Sequence, residues 1–162
     1  MVEKPTVSVI MPCRNEDPFI AMCLDSVLTN DYDEEKLEVL VVDGMSDDMT
    51  RSIVQQYVVA HPNIHLYDNP RRIAPVAQNI GITNAGGKVI IIMDAHATYA
   101  SDYISKCVDH LDMYNVDYVG GSLKIIPREH TVAGQAIVLA MSHPFGVGNA
   151  RYRTGKNTEP MF

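Results

Sequence analysis

One stretch, Lys88–Tyr99 (KVIIIMDAHATY), constrains this chain more than any other. Val89, Ile90, Ile91, Ile92 and Met93 are apolar without alternation, and four of the five are β-branched. A run of that kind suits a strand covered on both faces, so the pattern predicts a central strand of a parallel sheet. In open α/β sheets, ligands bind in the crevice beyond the carboxyl ends of the strands. Asp94 and His96, separated by one alanine, fall at that end.

The preceding chain repeats the pattern. Thr6–Met11 reads as a first strand, stopped by Pro12 because proline has no N–H to give to a ladder. Leu37–Val42 reads as a second, running into Asp43 and Gly44, and Ile64–Tyr67 as a short third. Helical periodicities lie between them. Asp17 caps a helix with Pro18 at its first position, and Ile20, Cys23, Leu24, Val27 and Leu28 share one face. Ser46, Asp47 and Asp48 compete to cap a second, which carries Met49, Ile53 and Tyr57 on one side and closes at His61-Pro62. A third enters through Pro75 and stops at Gly86-Gly87. The order βαβαβαβ predicts an α/β fold, a doubly wound and mainly parallel sheet with helices on both faces.

Beyond Tyr99, Ser101 caps a fourth helix with Ile104, Cys107, Val108 and Leu111 on one stripe. Tyr118–Ile126 reads as a further strand, its Gly120-Gly121 pair marking a bulge or a close backbone approach. Thr131–Met141 reads as a helix of small apolar residues, His143–Gly148 as a loop, and Asn149–Phe162 as an aperiodic tail. Nothing in the sequence resembles an interdomain linker, so residues 1–162 are expected to belong to one domain.

Charge and cysteines narrow the function. A net charge of −7 argues against nucleic-acid partners and anionic membranes, while small anions stay open as ligands. Cys13, Cys23 and Cys107 are odd in number and lack CxxC spacing, so they read as buried thiols of a reducing compartment rather than a disulfide or zinc framework. With no signal-peptide pattern and no apolar run of membrane-spanning length, the chain is expected to be soluble and cytoplasmic.

Three strand ends carry polar groups that can converge on one crevice: Pro12–Glu16, Asp43, and Asp94–His96. A carboxylate such as Asp43 accepts hydrogen bonds from a base N–H or a ribose hydroxyl. Asp94 and His96 suit a divalent ion that neutralises a diphosphate; oxygen ligands favour Mg²⁺, and the imidazole makes Mn²⁺ equally natural. Arg71 or Arg72 can add positive charge. A strand-end acid can also simply cap the next helix, the reading that fits Asp47 and Asp48 best. His61, His65, His110 and His130 read as surface or structural.

SVIMPCRNE, EVLVVDGMSDDMT and AQNIGITNAGGKVIIIMDAHATY together resemble, in order and spacing, the nucleotide-sugar-binding half of family 2 glycosyltransferases of GT-A fold. The likeness extends to bacterial and archaeal exopolysaccharide enzymes of the succinoglycan type, and HPFGVGNARYRTG fits them too. The resemblance implies that Pro12, Asn15 and Glu16 line the nucleotide site, that Asp43 contacts the base, and that Arg71 and Asn79 border it. It implies that Asp94 faces ribose and metal, and that His96 replaces the last acid of the DxD element as a metal ligand, which leaves the metal open between Mn²⁺ and Mg²⁺.

The resemblance further implies inverting transfer of a sugar, UDP-glucose or similar serving as donor, to a saccharide or lipid-linked acceptor in polysaccharide biosynthesis. Such chemistry needs a carboxylate general base. No Glu-Asp pair follows His96, so the chain is expected to be a donor-binding fragment, truncated at the C-terminus, with its base and acceptor half elsewhere. Homo-oligomerisation, and membrane association of the full-length protein, stay open. The alternative is a receiver-like signalling module phosphorylated at a strand-end Asp. Against it, the first strand ends Met11-Pro12-Cys13 instead of in an acidic pair. No GxGxxG follows that strand, which argues against a dinucleotide enzyme.

Overall fold

The four apolar runs form one parallel sheet: β1 (Val7–Cys13), β2 (Leu37–Asp43), β3 (Ile64–Asp68) and β4 (Val89–Ile92), in the order β3-β2-β1-β4. The structure is a computed structural model and describes residues 4–127, 130–148 and 150–154. Helices α1 (Ile20–Leu28), α2 (Thr50–Ala60) and α3 (Ala74–Asn84) make the crossovers, and α4 (Tyr103–Tyr114) follows β4. Side-chain alternation along β1 shows helices on both faces. Met11 meets Cys23 of α1 at 3.8 Å between sulfurs. Ile10 points the other way, against Gly81 of α3, where an added Cβ would lie 2.4 Å from Ile10 Cγ2. That close approach fixes α3 over β1 and leaves no room for a side chain.

Pro12 does not stop β1. It pairs with Val42, and Cys13 pairs with Asp43. In a parallel ladder successive residues bond alternately to the two neighbours. Ile10 turns its carbonyl to β4, taking the Met93 N–H, and the Cys13 carbonyl takes the Gly44 N–H on the β2 side. Pro12 therefore faces beyond the last paired residue of β4, where a missing N–H breaks nothing.

Among the described residues the expected central strand stands at the end of the order, paired with β1 alone. β1 and β2 are the covered pair, and in β2 Val39, Leu40, Val41 and Val42 are wholly buried, each side chain worth about 1.5–3 kcal/mol of burial. The register sets Ile90 beside Ser8 and Ile92 beside Ile10, on the face that α3 covers mainly over β1 and β2. Ile90 and Ile92 are consequently exposed, while Ile91 and Met93 on the other face are buried.

At the amino ends of the strands Ser8 and Glu38 hold the turn into β4. Glu38 Oε1 accepts from the Ser8 hydroxyl at 2.5 Å and from Gly86 N–H at 2.6 Å, and Ser8 Oγ accepts from Gly87 N–H at 2.7 Å. Gly87 is needed there for close approach, since a Cβ would meet the Ser8 nitrogen at 2.5 Å. α3 ends earlier, at Asn84.

Helix α1 starts at Ile20 instead of directly after Asp17. The Glu16 carbonyl takes both the Phe19 and Ile20 N–H groups, and Asp17 gives its own N–H to Asp48. Of the three candidates for α2, Asp48 does the capping work: its Oδ1 accepts from Thr50 N–H at 2.9 Å. Burial pushes the Asp48 carboxyl up, but hydrogen bonds from Thr50 and from the Asp17 N–H outweigh this and hold it below its usual value.

The chain divides into residues Met1–Asp112 and Met113–Phe162. The second unit carries α5 (Val132–Ser142), whose Thr131 hydroxyl accepts from Gly134 N–H, and two short helices, α6 (Pro144–Val147) and α7 (Arg151–Thr154). The strand expected over Tyr118–Ile126 is absent: that stretch is irregular, and the second unit has no other described strand to pair with. Within the loop expected at His143–Gly148, His143 Nδ1 accepts from Phe145 N–H and Pro144 opens α6. Pro at the first position and Gly148 at φ 58° after the last are the start and stop signals of a helix, hidden in a glycine-rich segment. The end of the expected tail, residues 155–162, lies outside the described residues.

Candidate functional site

The loops leaving β1 and β2 are stitched together. Asn15, in the left-handed region at φ 56°, gives its N–H to Ser46 Oγ at 2.9 Å. Its amide exchanges two bonds with Asp47, donating to Oδ1 at 2.7 Å and accepting from the Asp47 N–H at 3.1 Å. Glu16 N–H donates to Thr50 Oγ1 at 2.7 Å. The Ser/Thr/Asp-rich segment after β2 thus serves as a second wall for the loop after β1.

Asp43 sits at the joint, its side chain wholly buried. It accepts from the Ser46 hydroxyl and N–H, and from Arg51 Nη1 at 3.2 Å. The same guanidinium nitrogen donates to Asp68 at 2.6 Å, on the residue that pairs with Asp43 across the β2–β3 ladder. Hydrogen bonding to Asp68 raises the Arg51 pKa against a burial penalty, with Asp43 adding to the rise. Cys13 Sγ lies 4.0 Å from Asp43 Oδ1, and burial together with the Asp43 charge pushes that thiol up to about 12.

The end of β4 is built differently. Asp94 and His96 are exposed. The backbone of Asp94, and not its carboxylate, is held: its N–H donates to Tyr99 Oη at 2.7 Å and its carbonyl accepts from Cys23 Sγ at 3.4 Å. Burial drives the Tyr99 hydroxyl well above its ordinary pKa, so it stays protonated. Burial likewise lifts Cys23 to about 12. His96 Nδ1 lies 3.4 Å from Glu16 Oε1, joining the β1 loop to the β4 end.

Pro12, Asn15, Glu16, Asp43, Asp94 and His96 thus all lie at the carboxyl ends of β1, β2 and β4, and specific bonds link the first loop to the other two. Arg71 is exposed in the turn after β3, beside Arg72 in a left-handed conformation at φ 58°. Asn79 is exposed on the side of α3 opposite Ala77 and Gly81. Arg51, Asp68 and Tyr99 were not singled out from the sequence. Asp68 repeats the acid-at-strand-end pattern, and Arg51 is the second residue of the helix that follows Asp43, which is the signal that points to them.

A divalent ion fits this arrangement on chemical grounds. Among the described residues no three His, Cys, Asp or Glu side chains cluster tightly enough to cage a metal. An open carboxylate, Asp94, with the open imidazole of His96 two residues on, would suit a divalent ion whose shell substrate phosphates complete. Glu16 lies on the Nδ1 side of the ring, and Nε2 is the nitrogen away from that contact.

A family model described as glycosyl transferase family 2 matches residues 8–160. The chain belongs to that family. A mannosyltransferase of Pyrobaculum calidifontis, PcManGT, solved with GDP-Man and Mn²⁺, superposes with a TM-score of 0.67 at 33% identity over 85% of this chain and 39% of its own. The succinoglycan biosynthesis protein ExoA of Rhizobium meliloti is 28% identical over 91% of this chain and 44% of its own length. Glycosyltransferase AglE of Haloferax volcanii is 33% identical over 74% of this chain and 40% of its length. The chain therefore spans less than half the length of these relatives. The parallel sheet flanked by helices is the GT-A fold. Family membership leaves the receiver-like alternative without support, and Asp43, the one buried strand-end acid, is already bound to Ser46 and Arg51. No helix of the described residues is long and apolar enough to cross a membrane.

Proposed function

We propose that this chain binds the nucleotide-sugar donor of a metal-assisted, inverting glycosyltransferase that extends a saccharide or lipid-linked acceptor in polysaccharide biosynthesis. The observation that carries the reading is the open Asp94 carboxylate with a His96 ring 3.4 Å from Glu16, beside a loop stitched to the Asp43 wall. In this reading Pro12, Asn15 and Glu16 line the nucleotide, Asp43 recognises the base, and Arg71 and Asn79 border the site. Asp94 and His96 hold Mn²⁺ or Mg²⁺, which when bound neutralises the donor diphosphate. Tyr99 and Cys23 keep the Asp94 backbone in place while its carboxylate stays free. The general base comes from outside these residues.

The resemblance to succinoglycan-type enzymes favours a UDP sugar, and the likeness to PcManGT, solved with GDP-Man, keeps a GDP sugar in view. Calorimetric titration with UDP, GDP and ADP, with and without Mn²⁺, decides. Metal-dependent binding of UDP or GDP supports the reading. Binding indifferent to metal, or equal for all three nucleotides, contradicts it.

A further inference from the structure

Arg51 poses a question that the donor site alone does not answer. Asp43 is assigned to the base, yet its side chain is wholly buried and already carries two bonds from Ser46 and one from Arg51. Because none of its surface is open, and Cys13 Sγ also lies 4.0 Å away, a base N–H can reach it only if one of the covering groups moves aside. Ser46 is local and fixed: it lies three residues on, and its Oγ is itself held by the Asn15 N–H. Arg51 is different. Its side chain is 44% exposed, and one nitrogen, Nη1, serves both carboxylates, at 3.2 Å to Asp43 and at 2.6 Å to Asp68. Asp68 is 57% exposed and stays available when the Asp43 contact opens. Releasing Asp43 therefore breaks one long hydrogen bond and strands no cation.

We propose that Arg51 is a displaceable cover on Asp43, holding the carboxylate while the site is empty and yielding it to a ring N–H of the nucleobase by remaining on Asp68. The inference rests on the donor-site reading and adds a requirement to it. The ligand class is a base with a ring N–H donor, uracil or guanine, since adenine offers none at its Watson–Crick edge. Until displaced, Arg51 also offsets the repulsion between Asp43 and Asp68, which face each other across the parallel ladder. Asp68 is in this scheme a positioning residue that acts through Arg51.

The test is Asp68→Asn, with nucleotide affinity measured in Mn²⁺ by calorimetry and the ligand-free thermal midpoint measured beside it. Without the Asp68 charge the released guanidinium has no anionic partner, so whichever of UDP and GDP binds the wild type should bind about threefold to tenfold more weakly, with the midpoint unchanged. Simple electrostatics predicts the reverse, because removing an anion near an anionic ligand tightens binding or leaves it unaltered. Equal or tighter binding overturns the cover. In an Arg51→Met background the Asp68→Asn effect should vanish, and a loss of the same size there also overturns it. Failure of the wild type to bind any nucleotide overturns the donor-site reading, and this inference with it.

Discussion

The apolar runs of β2 and β4 both lead into an acid, in LVVD and IIMD, and the two acids live in opposite surroundings. Asp43 ends a strand buried between neighbours, and its carboxylate is consumed by Ser46 and Arg51. Asp94 lies two residues beyond β4; its backbone is tied down by Tyr99 and Cys23 while the carboxylate is exposed. Each rests on a buried thiol, Cys13 under Asp43 and Cys23 under Asp94. The difference separates two tasks. A carboxylate held by protein donors is shaped for selective recognition, and one held only through its main chain is free to ligate a metal.

The sharpest way to break the contrast is to remove each acid. Asp94→Ala should cost roughly a hundredfold or more in metal-dependent nucleotide affinity while moving folding stability by no more than about 0.5 kcal/mol, checked by calorimetry and chemical denaturation. Asp43→Asn should do the converse first. It breaks a pair whose acid is wholly buried, and because Arg51 is half exposed and keeps Asp68, the expected loss of stability is about 2 kcal/mol.

The thiols sharpen the comparison with pH. Their pKa values are raised from 9.0 to about 12, so above pH 9 the unfolded chain releases protons that the folded chain keeps. Stability is complete below pH 9 and falls as pH rises towards 12, on the order of 1–2 kcal/mol per thiol near pH 10. Cys13→Ala and Cys23→Ala should each flatten that alkaline loss, measured as denaturation midpoints across the range. The smallest effect is expected from Tyr99→Phe, which deletes the acceptor for the Asp94 N–H: about 1 kcal/mol of stability, and up to tenfold in Mn²⁺ affinity if the hydroxyl orients the ligand turn.

The residue order made much of this readable. Four apolar runs, their crossover helices, and the polar groups at the ends of β1, β2 and β4 follow from periodicity and from where each run stops. Three things do not. An unbroken apolar run does not show which face is covered: among the described residues Ile90 and Ile92 are exposed while Ile91 and Met93 are buried, which depends on the register with β1 and the placement of α3, both non-local. Pro12 looks like a strand terminator until its side of the ladder is known. The fate of Asp43 depends on Arg51, eight residues on, and on Asp68 in another strand, and no local pattern joins the three. The position of Asp94 and His96 beyond β4 was legible because the apolar run stops at Met93.

The central claim is that the open acid at the end of β4, with His96, is where metal and diphosphate meet. Anomalous diffraction from crystals grown with Mn²⁺ and UDP or GDP tests it most directly. A single Mn²⁺ peak within coordination distance of Asp94 and His96 Nε2, with the base towards Asp43, is the predicted result. A peak on other side chains, or a nucleotide bound away from the ends of β1, β2 and β4, would contradict the account.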